Sequence, residues 1–132
     1  MILVDTNIVL DIATRDPIWS EWSLGQLETA AASGVIAIND VVYAELAAGY
    51  QHPDSLDHAI ATLNLAHAPI PKFALFLAGQ AFRKYRRQQG TKLNVLPDFF
   101  IGAHAMVAGA PLLTRDAQRI RACFPSVILL SP

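Results

Sequence analysis

Four carboxylates stand where a globular chain has little reason to place charge. Asp5 closes the apolar run Ile2-Leu3-Val4 and is the only ionisable side chain among the first ten residues. Glu45 is the only charged residue between Val41 and Tyr50, and Asp98 the only carboxylate between Leu93 and Leu113. Asp116 follows the apolar pair Leu112-Leu113. A lone acid at the end of a buried strand costs stability unless a cation or a hydrogen-bond donor meets it. Two carboxylates ~5 Å apart repel by roughly 3 kcal/mol at an effective dielectric of about 20. Four brought together cannot all stay ionised without a cation. Oxygen ligands with no Cys or His beside them favour Mg²⁺ or Mn²⁺ over Zn²⁺. A cation so held polarises a phosphoryl oxygen and generates hydroxide from water, which suits phosphodiester hydrolysis.

Each acid also has a purely structural reading. Asp5 can cap the helix that follows it. Asp98 can favour a helix dipole from its first turn, and Asp116 can be a turn residue or a cap. Glu45 is the hardest to explain that way, because a mid-helix Glu has no capping task. Taken together the four favour a shared site as metal ligands and catalytic groups. Thr6 adjoins Asp5 and Thr114 precedes Asp116 by two residues, so their hydroxyls are candidates to support the acids. His104 lies six residues after Asp98, well around a helix from it. Ile101, Gly102 and Ala105 share the Asp98 face instead, and Gly102 is expected to leave room beside the metal. His52, His58 and His67 read as surface residues.

Cations are the other half of a phosphodiester site. Arg83-Lys84-Tyr85-Arg86-Arg87 with Lys92 holds five of the ten basic residues. The cluster, with Arg86 and Arg87 in it, suits a nucleic-acid backbone. It equally suits a solvated helix end, where cations complement the dipole. Arg115, beside Asp116, is a candidate phosphate contact at the site's edge.

The elements that must position these side chains alternate in type. Met1 to Val4, Val35 to Ile38, Ala68 to Pro71, Pro111 to Thr114 and Val127 to Leu130 read as short buried or edge strands. Between them the apolar spacing predicts helices over 8–13, 17–33, 41–48, 56–66, 72–89 and 98–108. Asp16-Pro17 is expected to open the second, and Asn39-Asp40 to cap the third. In the fifth, Phe73, Phe76, Leu77, Ala81 and Tyr85 form the apolar face. Residues 115–117 form a turn or short helix, and Gly90 and Asn94 lie in a loop. Strands alternating with helices argue for an α/β fold with a parallel sheet, and a chain of 132 residues for a single domain. At the carboxyl edge of such a sheet, strand exits and helix starts meet.

Composition narrows the class further. The chain is 53% hydrophobic and 16% charged, with a net charge of −1. That is apolar for a soluble domain, so an exposed patch serving a partner or a second copy is expected. Cys123 is the only cysteine, which excludes an internal disulfide and is compatible with a reducing compartment. No stretch reads as a secretory signal or a membrane span, and the cytoplasm is the expected location.

With those residues in place the chain resembles the PIN-domain ribonucleases, specifically the VapC-like toxins of toxin–antitoxin pairs. The resemblance rests on Leu3-Val4-Asp5-Thr6-Asn7, Val41-Val42-Tyr43-Ala44-Glu45-Leu46, the segment Leu96-Pro97-Asp98 through Ala105, and Leu112-Leu113-Thr114-Arg115-Asp116. It implies a five-stranded parallel sheet, a homodimer, and Mg²⁺- or Mn²⁺-dependent cleavage of RNA. It implies also a cognate antitoxin whose tail covers the active site. Asp5, Glu45, Asp98 and Asp116 match the family's metal-holding acids, and Thr6, Asn7 and Thr114 its supporting polar positions. Where relatives carry Ser or Thr before the third helix, this chain has Asn39-Asp40. Two alternatives stand beside this reading. A haloacid-dehalogenase-like phosphatase also starts with a strand ending in Asp, but wants a second Asp where this chain has Asn7. A non-catalytic interaction module would use the apolar surface and has no need of four acids.

Overall fold

The computed structural model describes residues 1–88 and 95–132. Strand β1 (Ile2–Val4) lies at the centre of a five-stranded parallel sheet. β2 (Ile36–Asn39) and then β3 (Ala66–Ala68) lie on one side of it, β4 (Leu112–Leu113) and β5 (Leu129–Leu130) on the other. Ile2 pairs with Ile36, and Val4 with Leu113. The order β3-β2-β1-β4-β5 reverses between β1 and β4, so the crevice where such sheets take ligands opens there. Backbone pairing runs past the strands: Asp5 N–H donates to Leu113 O (2.9 Å) and Thr114 N–H to Leu130 O (3.1 Å). Those bonds hold Asp5 and Thr114 side by side at the carboxyl edge.

Seven helices connect the strands among the described residues: α1 (Thr6–Ala13), α2 (Ser20–Ser33), α3 (Asp40–Ala47), α4 (Pro53–Thr62), α5 (Lys72–Arg87), α6 (Leu96–Ala108) and α7 (Gln118–Cys123). The core is aliphatic around Leu3, Ile8, Ile38 and Leu112. Phe99 ties α5, α6 and α7 together through Phe82 and Tyr85 (both 5.5 Å between ring centres) and Phe124 (6.4 Å). No helix is long and apolar enough to cross a membrane among the described residues.

The parallel α/β fold is the one expected; several details differ. α2 starts at Ser20, because Asp16 Oδ1 accepts from the backbone N–H of Ile18 and Trp19 and holds 17–19 as a turn. α4 ends at Thr62 and β3 begins at Ala66, not Ala68. Asn64 takes a left-handed backbone (φ 57°), and Leu65 N–H then closes onto Ile60 O. The same stop ends α1 at Arg15 (φ 53°) and α6 at Gly109 (φ 62°). On α5 the buried residues are Ala74 and Ala78, while Phe73 and Phe76 are each 61% exposed. Small side chains let α5 approach α6 closely, and apolar spacing alone does not reveal that preference. Gly102 makes room for packing, not for a metal: a Cβ there would sit 2.8 Å from Phe124 Cε2. α7 occupies the stretch after the expected turn at 115–117. Lys92, Gly90 and Asn94 lie outside the described residues.

Candidate metal centre

Asp5 ends the central strand and begins α1, so its carboxylate is fixed from several directions. Oδ1 accepts the Thr6 N–H (2.6 Å), and Oδ2 accepts the Thr114 hydroxyl (2.7 Å) and, more distantly, the Asn7 amide (3.4 Å). Asn7 Oδ1 accepts the Arg115 N–H (3.1 Å) and Thr114 Oγ1 accepts the Asp116 N–H (3.1 Å). The loop carrying Asp116 is thereby stitched to the turn carrying Asp5. Burial raises the Asp5 carboxyl from 3.8 to about 6, opposed by the hydrogen bond from Thr114 and reinforced by the charges of Asp98 and Glu45. A group that is 8% exposed and faces two further acids is short of positive charge.

The other acids converge on that edge from separate elements. Glu45, on the exposed side of α3, accepts the Thr6 hydroxyl (2.6 Å). Asp98, in the first turn of α6, accepts from Arg119 Nη1 (2.7 Å). Burial raises the Asp98 carboxyl against the pull of Arg119, and the Asp116 charge adds to the rise. Asp116 is exposed just past β4. Among the described residues no three His, Cys, Asp or Glu side chains lie close enough to coordinate one ion as they stand. Glu45 is engaged by Thr6 and Asp98 by Arg119, and mutual repulsion favours that spreading. The donor set is nevertheless all oxygen, anionic and short of a counter-charge at Asp5, which fits a hard divalent cation. Thr6, Asn7 and Thr114 each hydrogen-bond one of the acids directly.

The basic residues divide differently from expectation. Arg115 does not point its guanidinium at the acids' edge. Nε and Nη2 each donate to Asp11 (both 2.8 Å), and the group lies 5.3 Å from the Trp19 ring centre. Asp11 is 2% exposed, and Ser23 also donates to it (2.7 Å). Burial pushes the Asp11 carboxyl up, but the hydrogen bonds from Arg115 and Ser23 hold it below its ordinary value. The signal for Asp11 was available: it interrupts the apolar run from Ile8 to Ala13 just as Glu45 interrupts its own helix. Arg119, the cation that does reach a site acid, had no such signal. Arg86 lies over the Phe82 ring (5.9 Å to its centre), and Arg86 and Arg87 are exposed at the end of α5.

The histidines are structural or peripheral. His104 is buried with Nδ1 3.3 Å from the Asn39 amide, and burial lowers its pKa. Asn39 Oδ1 meanwhile caps α3 by accepting the Val42 N–H (3.0 Å). Asp40 accepts from the Ile70 N–H (3.0 Å) and pairs with the exposed His67, tying the end of β2 to the segment after β3.

The sequence matches the PIN domain family across residues 2–125. The chain belongs to that family. No curated protein sequence matches it. Among solved structures, this PIN domain is similar to a chain of VapBC2 from Rickettsia felis bound to a DNA fragment from its promoter. That match has a TM-score of 0.76 at 22% identity and covers 100% of this chain and 99% of the other. It is similar also to a chain of VapBC-1 from nontypeable Haemophilus influenzae (TM-score 0.70, 20% identity, 99% and 98% covered). A toxin–antitoxin complex from Klebsiella pneumoniae matches at a TM-score of 0.66 and 21% identity, with 97% and 96% covered. At these identities the likeness is one of fold. In this PIN domain Asn7 hydrogen-bonds to Asp5 and to Thr114, a supporting position and not the second acid a haloacid-dehalogenase-like phosphatase would need.

Proposed function

We propose that this PIN domain is a metal-dependent endoribonuclease acting as the toxin of a toxin–antitoxin pair. The observation that carries the reading is the buried carboxylate of Asp5 at the carboxyl edge of the sheet, with Glu45 and Asp98 near enough for their charges to act on it. Asp5 there is forced towards neutrality by burial and by its neighbours. The four carboxylates would hold Mg²⁺ or Mn²⁺, which when bound polarises the scissile phosphate and makes a water more acidic. The chain's own residues do the positioning. Thr114 and the Thr6 N–H lock the Asp5 carboxylate, Thr6 steers Glu45, and Asn7 holds the loop of Asp116. Arg119 brings positive charge to the same edge, where a phosphate would need it. Arg86 and Arg87 would neutralise the RNA backbone further out. Arg115, bound to Asp11, fixes the loop.

The toxin role is supported by the fold shared with VapBC chains and with the Klebsiella toxin–antitoxin complex. It carries with it a cognate antitoxin, a homodimer and a cytoplasmic site of action. The test is mapping of RNA cleavage ends with Mg²⁺ and with EDTA, wild type beside Asp5→Asn. Cleavage that EDTA and Asp5→Asn both abolish is the expected result. A folded Asp5→Asn protein cutting at the wild-type rate would refute the assignment of Asp5.

A further inference from the structure

Asp116 and Arg119 also line a groove whose other residues have no part in the chemistry above. Its volume is about 590 Å³, within the range of sites that take small organic groups. Lys84 and Tyr85 near the end of α5 and Gln88 just past it line one side, and Gln118, Arg119 and Cys123 line it from α7. Asp116 belongs to its wall and Arg119 reaches Asp98 at 2.7 Å, so groove and acid cluster are continuous.

The lining has a particular chemistry. Tyr85 is half-buried and braced by Phe82 and Phe99, and the Arg119 guanidinium lies 6.0 Å from its ring centre. That makes a flat, partly cationic wall of the kind on which bases stack. Gln88 and Gln118 are primary amides, each with two donors and an acceptor, and so complementary to the polar edge of a base. Lys84 supplies a further cation. A bare phosphate is a poor occupant, because Asp116 would repel it at the end nearest the acids. A neutral base with its sugar turned towards Asp116 meets no such cost.

We infer that this groove is the subsite for the nucleotide next to the scissile phosphate, and that Gln88 and Gln118 select its base. The inference rests on the ribonuclease reading. Two measurements test it on the whole protein. The first is fluorescence anisotropy with short labelled oligoribonucleotides, a homopolymer of each base, in EDTA so that none is cut. The second is cleavage-end mapping in Mg²⁺. Ala122→Trp, which fills the groove from an exposed position, is expected to weaken RNA binding roughly tenfold or more. Gln118→Ala is expected to narrow the affinity differences among the four homopolymers and to shift the base found at the cut ends. A merely structural role would leave that base unchanged. Should Ala122→Trp fail to fold, Lys84→Glu, also exposed, takes its place with the same expected loss. Wild-type affinities and an unchanged end pattern in the folded variants would overturn the groove assignment while leaving metal-dependent cleavage standing. A wild-type protein that neither binds nor cuts any RNA would overturn the ribonuclease reading, and the subsite with it.

Discussion

Replacing Asp5 by Asn should abolish activity and at the same time stabilise the metal-free protein. The Asp5 carboxyl is raised from 3.8 to about 6. That rise of roughly 2 pH units corresponds to about 3 kcal/mol between the two protonation states. Because the folded-state value lies above the unfolded one, the fold binds this proton more tightly than the open chain does. The stabilisation is therefore complete below about pH 4 and is lost as pH rises through 6. Above pH 7 the ionised carboxylate is carried at the full cost unless a cation binds. Asn at this position cannot ionise and keeps one acceptor. It loses one of the bonds now received from Thr114 and Thr6, worth about 1 kcal/mol. The net expectation in EDTA at pH 8 is a gain of about 2 kcal/mol, or several degrees in Tm.

Urea unfolding of both proteins at intervals from pH 4 to 8 in EDTA reads Asp5 together with the Asp98 and Glu45 charges that act on it, since carboxyls remote from it cancel in the difference. The gain should shrink towards zero or reverse as pH falls through 6. Mg²⁺ should stabilise the wild type and leave Asp5→Asn unmoved. A variant less stable than wild type at pH 8 in EDTA, or a difference independent of pH, would refute the reasoning.

Arg115→Ala should destabilise the fold by roughly 3 kcal/mol, because Asp11 would remain buried with Ser23 as its remaining partner. Removing Asp11 as well should recover part of the loss, a coupling that a denaturation double-mutant cycle reads directly. Gly102→Ala should cost about 1–3 kcal/mol in thermal unfolding, since the new methyl meets the Phe124 ring between α6 and α7. A neutral result would mean that α7 shifts freely. Arg15→Gly should stabilise by about 0.5–1 kcal/mol, relieving a left-handed residue at the end of α1. A Tm no higher than wild type would show the strain to be absent.

The central strand, the cap at Asp5 and the alternation of strands with helices were legible in the chain because they depend on neighbours in sequence. Three apolar residues ending in an acid and two capping side chains already state the strand-to-helix turn. The candidate acids were legible for a related reason: each interrupts an apolar stretch, and an isolated charge there demands a partner. Asp11 passes the same test, and its Arg115 partner lies 104 residues away.

The partners themselves were decided only by the tertiary structure. Arg115 and Arg119 both follow β4 closely, and nothing local says that one turns to Asp11 and the other to Asp98. The face of α5 was likewise undecided by spacing, because close approach to α6 selects Ala74 and Ala78 over the larger Phe73 and Phe76. Gly102 takes its meaning from Phe124, a ring on another element. Periodicity encodes the type and rough extent of each element. Which charge compensates which, and how near two helices come, depends on distances that exist only after the sheet brings Asp5 and Thr114 together.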